Sequence, residues 1–267
     1  MRKTVWILNQ KGGTGKSTIA SCIAAHYEAT GAAVQLLDAD CQPDSKDREK
    51  SSLSAIFPAA ERIEIAASPS ALAAKPSLSI SHWDGLFNRA RATDILCDFG
   101  ANVSSSLLHW LDESDIGERL APAGIHLDVV LVTTAHPDGV GDALDLAKRL
   151  VALIPPESRR LFLVLNAAAG GFDAYASSAE LAAFTSMVEA GDLAMVVVPR
   201  CGSEIWQDAE RARLTPLAAA AMPAAELALR LGTPELETAR GRKALARWHK
   251  AVIDAFQDAG LLADDRQ

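Results

Sequence analysis

The fold of this 267-residue chain is decided by the stretch Asn9-Gln10-Lys11-Gly12-Gly13-Thr14-Gly15-Lys16-Ser17-Thr18. It follows an apolar run at residues 4–8 and precedes a segment of helical length at residues 16–30. A strand, a glycine-rich loop and a helix in this order are the setting of a phosphate-binding loop. Glycines there let backbone N–H groups turn onto phosphate oxygens, because no Cβ is in the way. We therefore predict that the segment from Gly12 to Thr18 binds the phosphates of a nucleotide.

Two side chains of this loop carry specific predicted roles. Lys16 would reach the β- and γ-phosphates, and the hydroxyl of Ser17 would ligate Mg²⁺. The positive end of the helix dipole at Lys16 adds to the attraction for phosphate. The usual pattern G-x-x-x-x-G-K-[ST] requires glycine at position 10, where this chain has Gln10. In exchange, the loop has a second lysine, Lys11.

The rest of the chain alternates short apolar runs with longer amphipathic segments. Solid apolar runs are typical of strands that are covered on both faces, as in parallel sheets. We therefore predict an α/β fold with a doubly wound, mostly parallel sheet and helices on both faces. The predicted strands are residues 4–8, 33–37, 94–97, 127–132, 161–165 and 194–198, and the predicted helices between them are residues 16–30, 103–113, 138–153 and 178–190.

The organisation predicts one domain over residues 1–267, with a helical C-terminal segment at residues 217–262. Two stretches interrupt the alternation of strands and helices. Residues 41–62 are polar and charged and only weakly helical in pattern. Residues 66–81 are rich in Ala, Ser and Pro and are predicted to form a loop or an insertion.

Acidic residues follow two of the predicted strands. Asp38 and Asp40 leave the second strand two residues apart, and Asp98 ends the third strand before Gly100. The carboxyl ends of parallel strands form the edge at which α/β sheets bind ligands. We therefore expect the carboxylates of Asp38, Asp40 and Asp98 at the ligand-binding edge of the sheet.

The loop as a whole resembles the deviant Walker A motif of the ParA/MinD superfamily of ATPases, within the SIMIBI class. Lys11 matches the signature lysine of that family, and Asn9-Gln10 before Lys11 resembles its ParA branch. The resemblance implies a dimer that encloses two ATP molecules, with Lys11 reaching the partner's nucleotide. Residues 98–111 also resemble plasmid proteins of the StbB and TraL types.

The same resemblance assigns roles to further residues. It implies that Lys11, Lys16, Asp38 and Asp40 are catalytic, and that Ser17, Asp38 and Asp98 surround Mg²⁺. Asp40 would position the attacking water in that family, and Asp44 is an alternative residue for this role. One departure affects the second acidic motif, because the ParA pattern has Pro directly after the second Asp. This chain has Cys41 there and places its proline at position 43.

Recognition of the adenine base is predicted from two later strand ends. Asn166 follows the strand at residues 161–165, at the place where the family has an Asn that hydrogen-bonds the adenine edge. Pro199 and Arg200 resemble the segment that flanks adenine in the family. An Asn after a strand is also common in ordinary turns, so the residue type alone leaves that alternative open.

The charge distribution limits the classes of partner. A net charge of −8 excludes a protein that is basic over its whole surface. Residues 240–250, however, contain five positive side chains and no acidic one. On a helix, Leu245, Trp248, Val252 and Phe256 would form a buried stripe. The opposite face would carry Arg240, Lys243, Arg247 and Lys250.

Three interpretations of that basic face stay open. It is a solvated helix face, a strip that binds DNA without sequence preference, or a membrane-surface helix. A membrane role is the least favoured, because the apolar stripe is modest and the last residues include Asp264 and Asp265.

The expected function is that of an Mg²⁺- and ATP-dependent dimerising ATPase, weak on its own and stimulated by a partner. Its ATP-bound homodimer would bind nonspecific DNA or a DNA-binding, activating partner protein, as in plasmid partition or positioning. The alternative is an ATPase adaptor that localises a conjugation, secretion or polysaccharide-synthesis machine through protein contacts alone. A metabolic phosphate-loop enzyme is a third class. Four widely spaced cysteines and no spanning segment predict a cytoplasmic protein, associated with the nucleoid if it binds DNA.

Overall fold

A computed structural model of the chain describes residues 1–39, 53–63, 78–101 and 103–262. Seven strands in these ranges form one sheet in the order β3-β2-β4-β1-β5-β6-β7, and every neighbouring pair is parallel. The strands are β1 (Arg2–Leu8), β2 (Val34–Ala39), β3 (Glu61–Arg62), β4 (Asp94–Phe99), β5 (Ile125–Thr134), β6 (Arg159–Asn166) and β7 (Ala194–Val198). The predicted α/β class is confirmed.

Helices connect these strands and cover the sheet. They are α1 (Lys16–Thr30), α2 (Leu53–Ile56), α3 (Leu78–Ala92), α4 (Ser104–Glu113), α5 (Ile116–Leu120), α6 (Pro137–Leu153), α7 (Ala179–Glu189), α8 (Trp206–Arg211), α9 (Pro216–Ala221), α10 (Ala224–Leu231) and α11 (Glu235–Asp258). Short 3₁₀ turns lie at Pro156–Ser158, Ala167–Ala169 and Asp173–Tyr175. In the described part of the chain, no helix has both the length and the apolar character needed to cross a bilayer.

The two faces of the sheet carry separate apolar cores, as the doubly wound arrangement requires. Helices α3 to α7 cover one face through side chains such as Trp83, Trp110 and Phe184. Helices α1, α2 and α11 cover the other face, with Ile23 and Phe256 among the fully buried contacts. A small third core joins α8, α9, α10 and α11.

Two parts of the structure differ from the sequence-based expectation. Strand β3 was missed, because it has only two residues, both charged, and pairs with β2 at the sheet edge. The predicted loop at residues 66–81 is wrong at its end, since residues 78–81 belong to helix α3. The remainder of that predicted loop lies outside the described residues. The first helix has the predicted bounds, and the segment after residue 216 is helical as expected.

Candidate nucleotide site

The phosphate loop joins the end of β1 to the start of α1. Gly13 and Gly15 have φ angles of +76° and +91°, which L side chains rarely adopt. Gly15 is the N-cap of α1, and no side chain hydrogen-bonds to the first turn from that position. The N–H groups of this turn therefore lack a local cap and are directed toward the loop, which is the arrangement that binds an anion.

Two asparagine side chains attach the loop to strands β5 and β6. The Asn9 side-chain amide donates to the Val132 carbonyl at 2.7 Å, and its oxygen accepts the Lys11 backbone N–H at 3.2 Å. The Asn166 amide donates to the Thr14 carbonyl at 2.9 Å, across 152 residues of sequence. A Cβ added to Gly15 would lie 2.4 Å from Asn166 Nδ2. The loop can therefore pass this close to Asn166 only with glycine at position 15.

Asn166 thus lies at the loop, although the sequence linked it to adenine. Its side-chain oxygen accepts the Ala168 N–H at 3.1 Å, and the side chain is buried. The contact with adenine stays a prediction. The supporting role of Asn9 was not predicted, although the residue stood inside the quoted motif.

Lys16 and Lys11 have contrasting environments. Lys16 is buried, with 7% of its surface exposed, and its ammonium donates to the Lys11 carbonyl at 3.1 Å, so it lies over the loop. The Lys11 side chain is 39% exposed, and its ammonium lies 3.2 Å from an Asp138 carboxylate oxygen at the start of α6. Asp138 is itself 65% exposed, so solvent screens this ion pair and it contributes little to stability. Lys11 can therefore leave Asp138 at small cost.

The two acidic residues after β2 and β4 lie side by side. Asp38 and Asp98 are paired in register on these neighbouring strands, and both are fully buried. Because side chains alternate along a strand, they share the face of Leu36 and Leu96, which α1 covers. Asp38 also accepts the backbone N–H of Ser54 at 2.9 Å. The carboxylates are therefore on the side of the sheet where Lys16 and Ser17 begin the helix.

The donor set fits Mg²⁺ bound together with a nucleotide. No group of three or more His, Cys, Asp or Glu side chains in the described ranges could hold a metal ion alone. Mg²⁺, however, prefers oxygen ligands, keeps several water molecules and is usually bound through one or two carboxylates plus substrate phosphates. That set would be supplied by the Ser17 hydroxyl, the carboxylates of Asp38 and Asp98, and the phosphates. The predicted metal roles of these three residues stay predictions.

Asp40 and the alternative Asp44 lie outside the described residues, as do Cys41 and Pro43. Their predicted part in positioning the attacking water therefore stays a prediction.

The segment after β7, which the sequence linked to adenine, is attached to the C-terminal helix. The Pro199 carbonyl accepts the Trp248 indole N–H at 2.7 Å. Trp248 also packs on Trp206, with 5.8 Å between ring centroids. Arg200 is exposed beside this contact. Trp248 therefore positions the segment by a contact that the sequence did not suggest.

A carboxylate also lies close to the first turn of α1. Thr18 Oγ1 is 3.4 Å from Glu210 Oε1, and these residues are 192 positions apart in the chain. Burial raises the pKa of Glu210, and the hydrogen bond from Thr18 offsets this only in part. Because α8 follows the Pro199 segment, this contact joins the phosphate loop to the part of the chain predicted to contact the base.

The C-terminal helix buries the predicted stripe, since Leu245, Trp248, Val252 and Phe256 are all buried. Its basic face is smaller than the sequence suggested. The Lys250 ammonium lies 2.6 Å from a carboxylate oxygen of Asp254, one turn further on, and Arg242 donates to the Met222 carbonyl at 2.7 Å. Lys250 stays exposed, and Arg240, Lys243 and Arg247 form the exposed basic strip that has no ion pair among the described residues.

Comparison with known proteins supplies the family. Residues 5–210 match the family model described as the CobQ/CobB/MinD/ParA nucleotide binding domain. The chain belongs to this family. The predicted ParA/MinD relationship is thereby confirmed, and nucleotide binding is the property that the family description names. The narrower resemblance to StbB and TraL stays a prediction.

Three solved structures that the chain is similar to have low sequence identity to it. The MinC:MinD cell division protein complex of Aquifex aeolicus gives a TM-score of 0.49 at 14% identity, covering 90% of this chain and 95% of that one. Apo McdA from Cyanothece gives 0.43 at 15% identity, covering 95% and 100%. An ADP complex of a nucleotide-binding protein from Archaeoglobus fulgidus gives 0.44 at 14%, covering 79% and 86%. Among curated protein sequences, none matches this chain significantly.

Proposed function

We propose that this protein is an ATPase switch that closes into a homodimer with Mg²⁺ and ATP and opens after hydrolysis. The contrast between the two loop lysines is the observation that carries the proposal. Lys16 is buried over its own loop, whereas the Lys11 side chain is 39% exposed and, in the described part of the chain, forms an ion pair with the exposed Asp138. A lysine in that position is available to a second molecule that approaches the same edge of the sheet.

Within one subunit, the loop backbone and Lys16 would hold the phosphates. Gly13 and Gly15 set the backbone so that N–H groups face the phosphate oxygens. Lys16 would exchange its hydrogen bond with the Lys11 carbonyl for the β- and γ-phosphates. A bound Mg²⁺ would neutralise charge on these phosphates, and Ser17, Asp38 and Asp98 are the residues proposed to hold it.

Hydrolysis would need two further groups. Asp40 is proposed to orient the attacking water, as a general base or a hydrogen-bond acceptor. Lys11 is proposed to leave Asp138 and place its ammonium on the partner's nucleotide, where it would stabilise negative charge in the transition state. Since this charge comes from the other subunit, hydrolysis would require the dimer.

The base would lie between the ends of β6 and β7. Asn166, Pro199 and Arg200 are the residues proposed to contact it. The bond from Asn166 to the Thr14 carbonyl supports this arrangement, because one side chain would then touch both the base and the phosphate loop. The position of the base would therefore affect the loop directly.

DNA, or a DNA-binding protein that activates hydrolysis, is the proposed partner of the ATP dimer, in the positioning of a plasmid or other DNA. The strip of Arg240, Lys243 and Arg247 supports this proposal, since it concentrates positive charge in a chain of net charge −8. Two copies in a dimer would present six such charges together.

An adaptor function through protein contacts alone is a second candidate. It is favoured by Leu236, which is 76% exposed and lies four residues before Arg240 on the same face of α11. An exposed leucine beside three positive side chains suits a protein surface with acidic rims better than it suits a phosphate backbone.

The dimer is tested by size-exclusion chromatography with light scattering, with ATP and Mg²⁺ and with ADP. We expect a mass of two chains with ATP and of one chain with ADP. Lys16→Ala should remain a monomer in both cases, because it cannot hold the nucleotide. A wild-type protein that stays monomeric with bound ATP would refute the switch.

The partner is tested by a gel shift with nonspecific DNA of about 30 base pairs at low salt, where phosphate contacts are strongest. Arg240→Ala/Lys243→Ala/Arg247→Ala should lose the ATP-dependent shift. Arg242→Ala is the control, because this half-buried side chain donates to the Met222 carbonyl within the chain. No shift by wild-type dimers would favour the adaptor.

A further inference from the structure

A large cavity lies at the amino-terminal edge of the sheet, away from the phosphate loop. Its volume is about 1060 Å³, which is at the upper end of the range for small-molecule sites. The first residues of β1, β4, β5 and β6 contribute to its lining, together with the last turn of α1 and the end of α11. Helix α1 has 15 residues and is therefore about 22 Å long, so the phosphate loop and the cavity are at its opposite ends.

The lining of the cavity is rich in positive charge. Arg2, Lys3 and Arg160 line it, and Asp94 is the one acidic side chain among the described residues that do so. Below this lining, Asp128 is fully buried and binds Arg160 through two contacts of 2.8 Å. Asp94 and Asp128 offset two of these three positive charges, so an excess of one positive charge remains at the cavity in a chain of net charge −8, and it would attract an anion.

The charges around Asp128 form a network. Burial alone would raise the pKa of Asp128, but hydrogen bonds from His126 and Arg160 and the charges of Arg160 and Lys3 hold it below its ordinary value. Lys3 also donates to the Leu261 carbonyl, and Arg160 donates to the Gly260 carbonyl at 3.2 Å. The network therefore fixes the floor of the cavity and attaches the end of the C-terminal helix to it.

Tyr27 is one of the residues that line the cavity, and its hydroxyl group is unpaired in the described structure. The Tyr27 hydroxyl oxygen is buried and has no hydrogen-bond partner among the described residues. A buried hydroxyl without a partner is costly, so a ligand that displaces part of the wall and pairs with this hydroxyl would gain affinity. Val5, Val34 and Ile95 give the same cavity an apolar part of its lining.

We propose that this cavity binds a small organic anion, in which a phosphate ester or carboxylate is attached to an apolar body. The anionic group would face Arg2 and Lys3, a polar atom would pair with the Tyr27 hydroxyl, and the apolar body would pack on Val5, Val34 and Ile95. This site is separate from the nucleotide site and does not depend on the function proposed above.

The test uses the full chain with Lys16→Ala, so that binding at the phosphate loop does not contribute. Phenyl phosphate, benzoate and the neutral benzyl alcohol are titrated, and backbone ¹H–¹⁵N NMR shifts are followed. We expect one of the two anions to bind with a Kd below about 1 mM, with shifts at residues that line the cavity, and benzyl alcohol not to saturate. The tighter of the two anions identifies the phosphate ester or the carboxylate as the preferred group.

Single substitutions in the same background assign the site. Arg2→Ala should weaken binding about threefold to fivefold, since Arg2 is exposed and screened by solvent. Tyr27→Phe should weaken it about threefold to tenfold while keeping the aromatic ring. Lys148→Ala is the matched control, because it removes an exposed positive charge from α6 on the other face of the sheet.

The proposal is overturned if neither anion saturates, or if benzyl alcohol binds as tightly as the anions. It is also overturned if Arg2→Ala and Tyr27→Phe both leave the affinity of the better anion unchanged. Tyr27→Phe removes only a hydroxyl that has no partner among the described residues, so a folding defect is not expected to obscure the result.

Discussion

The two edges of the sheet both bury carboxylates, but they use them differently. At the amino-terminal edge, Asp128 is surrounded by cations from its own chain, with Arg160 at 2.8 Å and Lys3 at 3.6 Å. At the carboxyl edge, Asp38 accepts a backbone N–H from Ser54, and the nearby loop lysines turn to a carbonyl and to an exposed carboxylate. At the first edge the charge of Asp128 is compensated by half-buried cations, whereas at the second edge Lys11 is held in an exposed ion pair.

This difference predicts that substitutions which affect function and substitutions which affect stability lie at different edges of the sheet. Contacts that are buried and paired, as around Asp128, are costly to break from one side, because an uncompensated charge is left. Contacts that are weak or exposed, as at Lys11, can be exchanged for a ligand or a partner at small cost. Substitutions at the carboxyl edge should therefore change nucleotide chemistry more than stability, and substitutions at the amino-terminal edge should do the reverse.

Lys11→Ala is expected to have the largest effect. If Lys11 acts on the partner's nucleotide, its loss should lower the rate of ATP hydrolysis by about 10⁴-fold, as for other cationic groups supplied in trans. Nucleotide binding should persist, because Lys16 and the loop backbone are intact. Phosphate release and ADP titration calorimetry measure the two properties separately.

Asp138→Asn is the control for this prediction, since it removes the partner of Lys11 within the same chain and leaves the lysine in place. Its hydrolysis rate should stay within a few-fold of the wild type. A Lys11→Ala protein that hydrolyses ATP at the normal rate would exclude the role in trans.

Lys16→Ala should have the second largest effect, on binding itself. Lys16 is the buried cation of the loop, and the loss of its charge-assisted bonds to the β- and γ-phosphates should weaken ATP binding about 10³-fold, and ADP binding by less because ADP has no γ-phosphate. We expect the free energy of unfolding to fall by less than the roughly 4 kcal/mol that is lost from ATP binding. Calorimetry and urea denaturation give the two numbers, and a large loss of stability would contradict the separation of the two edges.

The phosphate loop could be predicted from sequence because its geometry is local. The glycines at positions 13 and 15 and the lysine at position 16 determine a backbone conformation within a few residues of each other. Strand β1 could be predicted for the same reason, since it is a solid apolar run. Helix α3 was missed although Trp83, Leu86 and Ala90 have helical spacing, because the Ala-, Ser- and Pro-rich residues before it favoured a loop.

The contacts that complete the site could not be predicted, because they depend on packing between distant segments. Asp138 is 127 residues from Lys11, and Glu210 is 192 residues from Thr18. The basic face of α11 is an intermediate case. The pairing of Lys250 with Asp254 follows the i, i+4 rule and could have been seen in the sequence, whereas the contact of Arg242 with Met222 could not.

Asp128→Asn tests the amino-terminal edge. It leaves Arg160 and Lys3 without their buried counter-charge, which should lower the free energy of unfolding by about 3 kcal/mol at pH 7. ADP affinity should be unchanged, because the phosphate loop is at the other end of α1. Asp138→Asn again serves as the control, with a loss of less than about 0.5 kcal/mol for an exposed ion pair.

The same variant has a defined pH dependence. Because the folded-state pKa of Asp128 is lowered, its contribution is fully present above the unfolded-state pKa of about 3.9. The contribution is lost as the pH falls through the lower pKa of the folded state. Urea denaturation at a series of pH values should therefore show the difference between wild type and Asp128→Asn shrinking below about pH 4. A difference that stays constant down to pH 2 would contradict the assigned charge on Asp128.

Gly15→Ala should have the smallest of these effects, and Gly13→Ala is its matched control. Both glycines have positive φ, so alanine at either position is strained by about 1 kcal/mol. A Cβ at Gly13 meets nothing within 4 Å, whereas one at Gly15 lies 2.4 Å from Asn166 Nδ2. Gly15→Ala should therefore lower ADP affinity by about 2 kcal/mol in total, roughly 30-fold, and Gly13→Ala by about half that free energy.

In an Asn166→Ala background the contact is absent, so the two alanine substitutions should become equivalent, and calorimetry on the four variants decides this. If Gly15→Ala stays more costly than Gly13→Ala without the Asn166 side chain, the close approach to Asn166 is not what requires glycine at position 15.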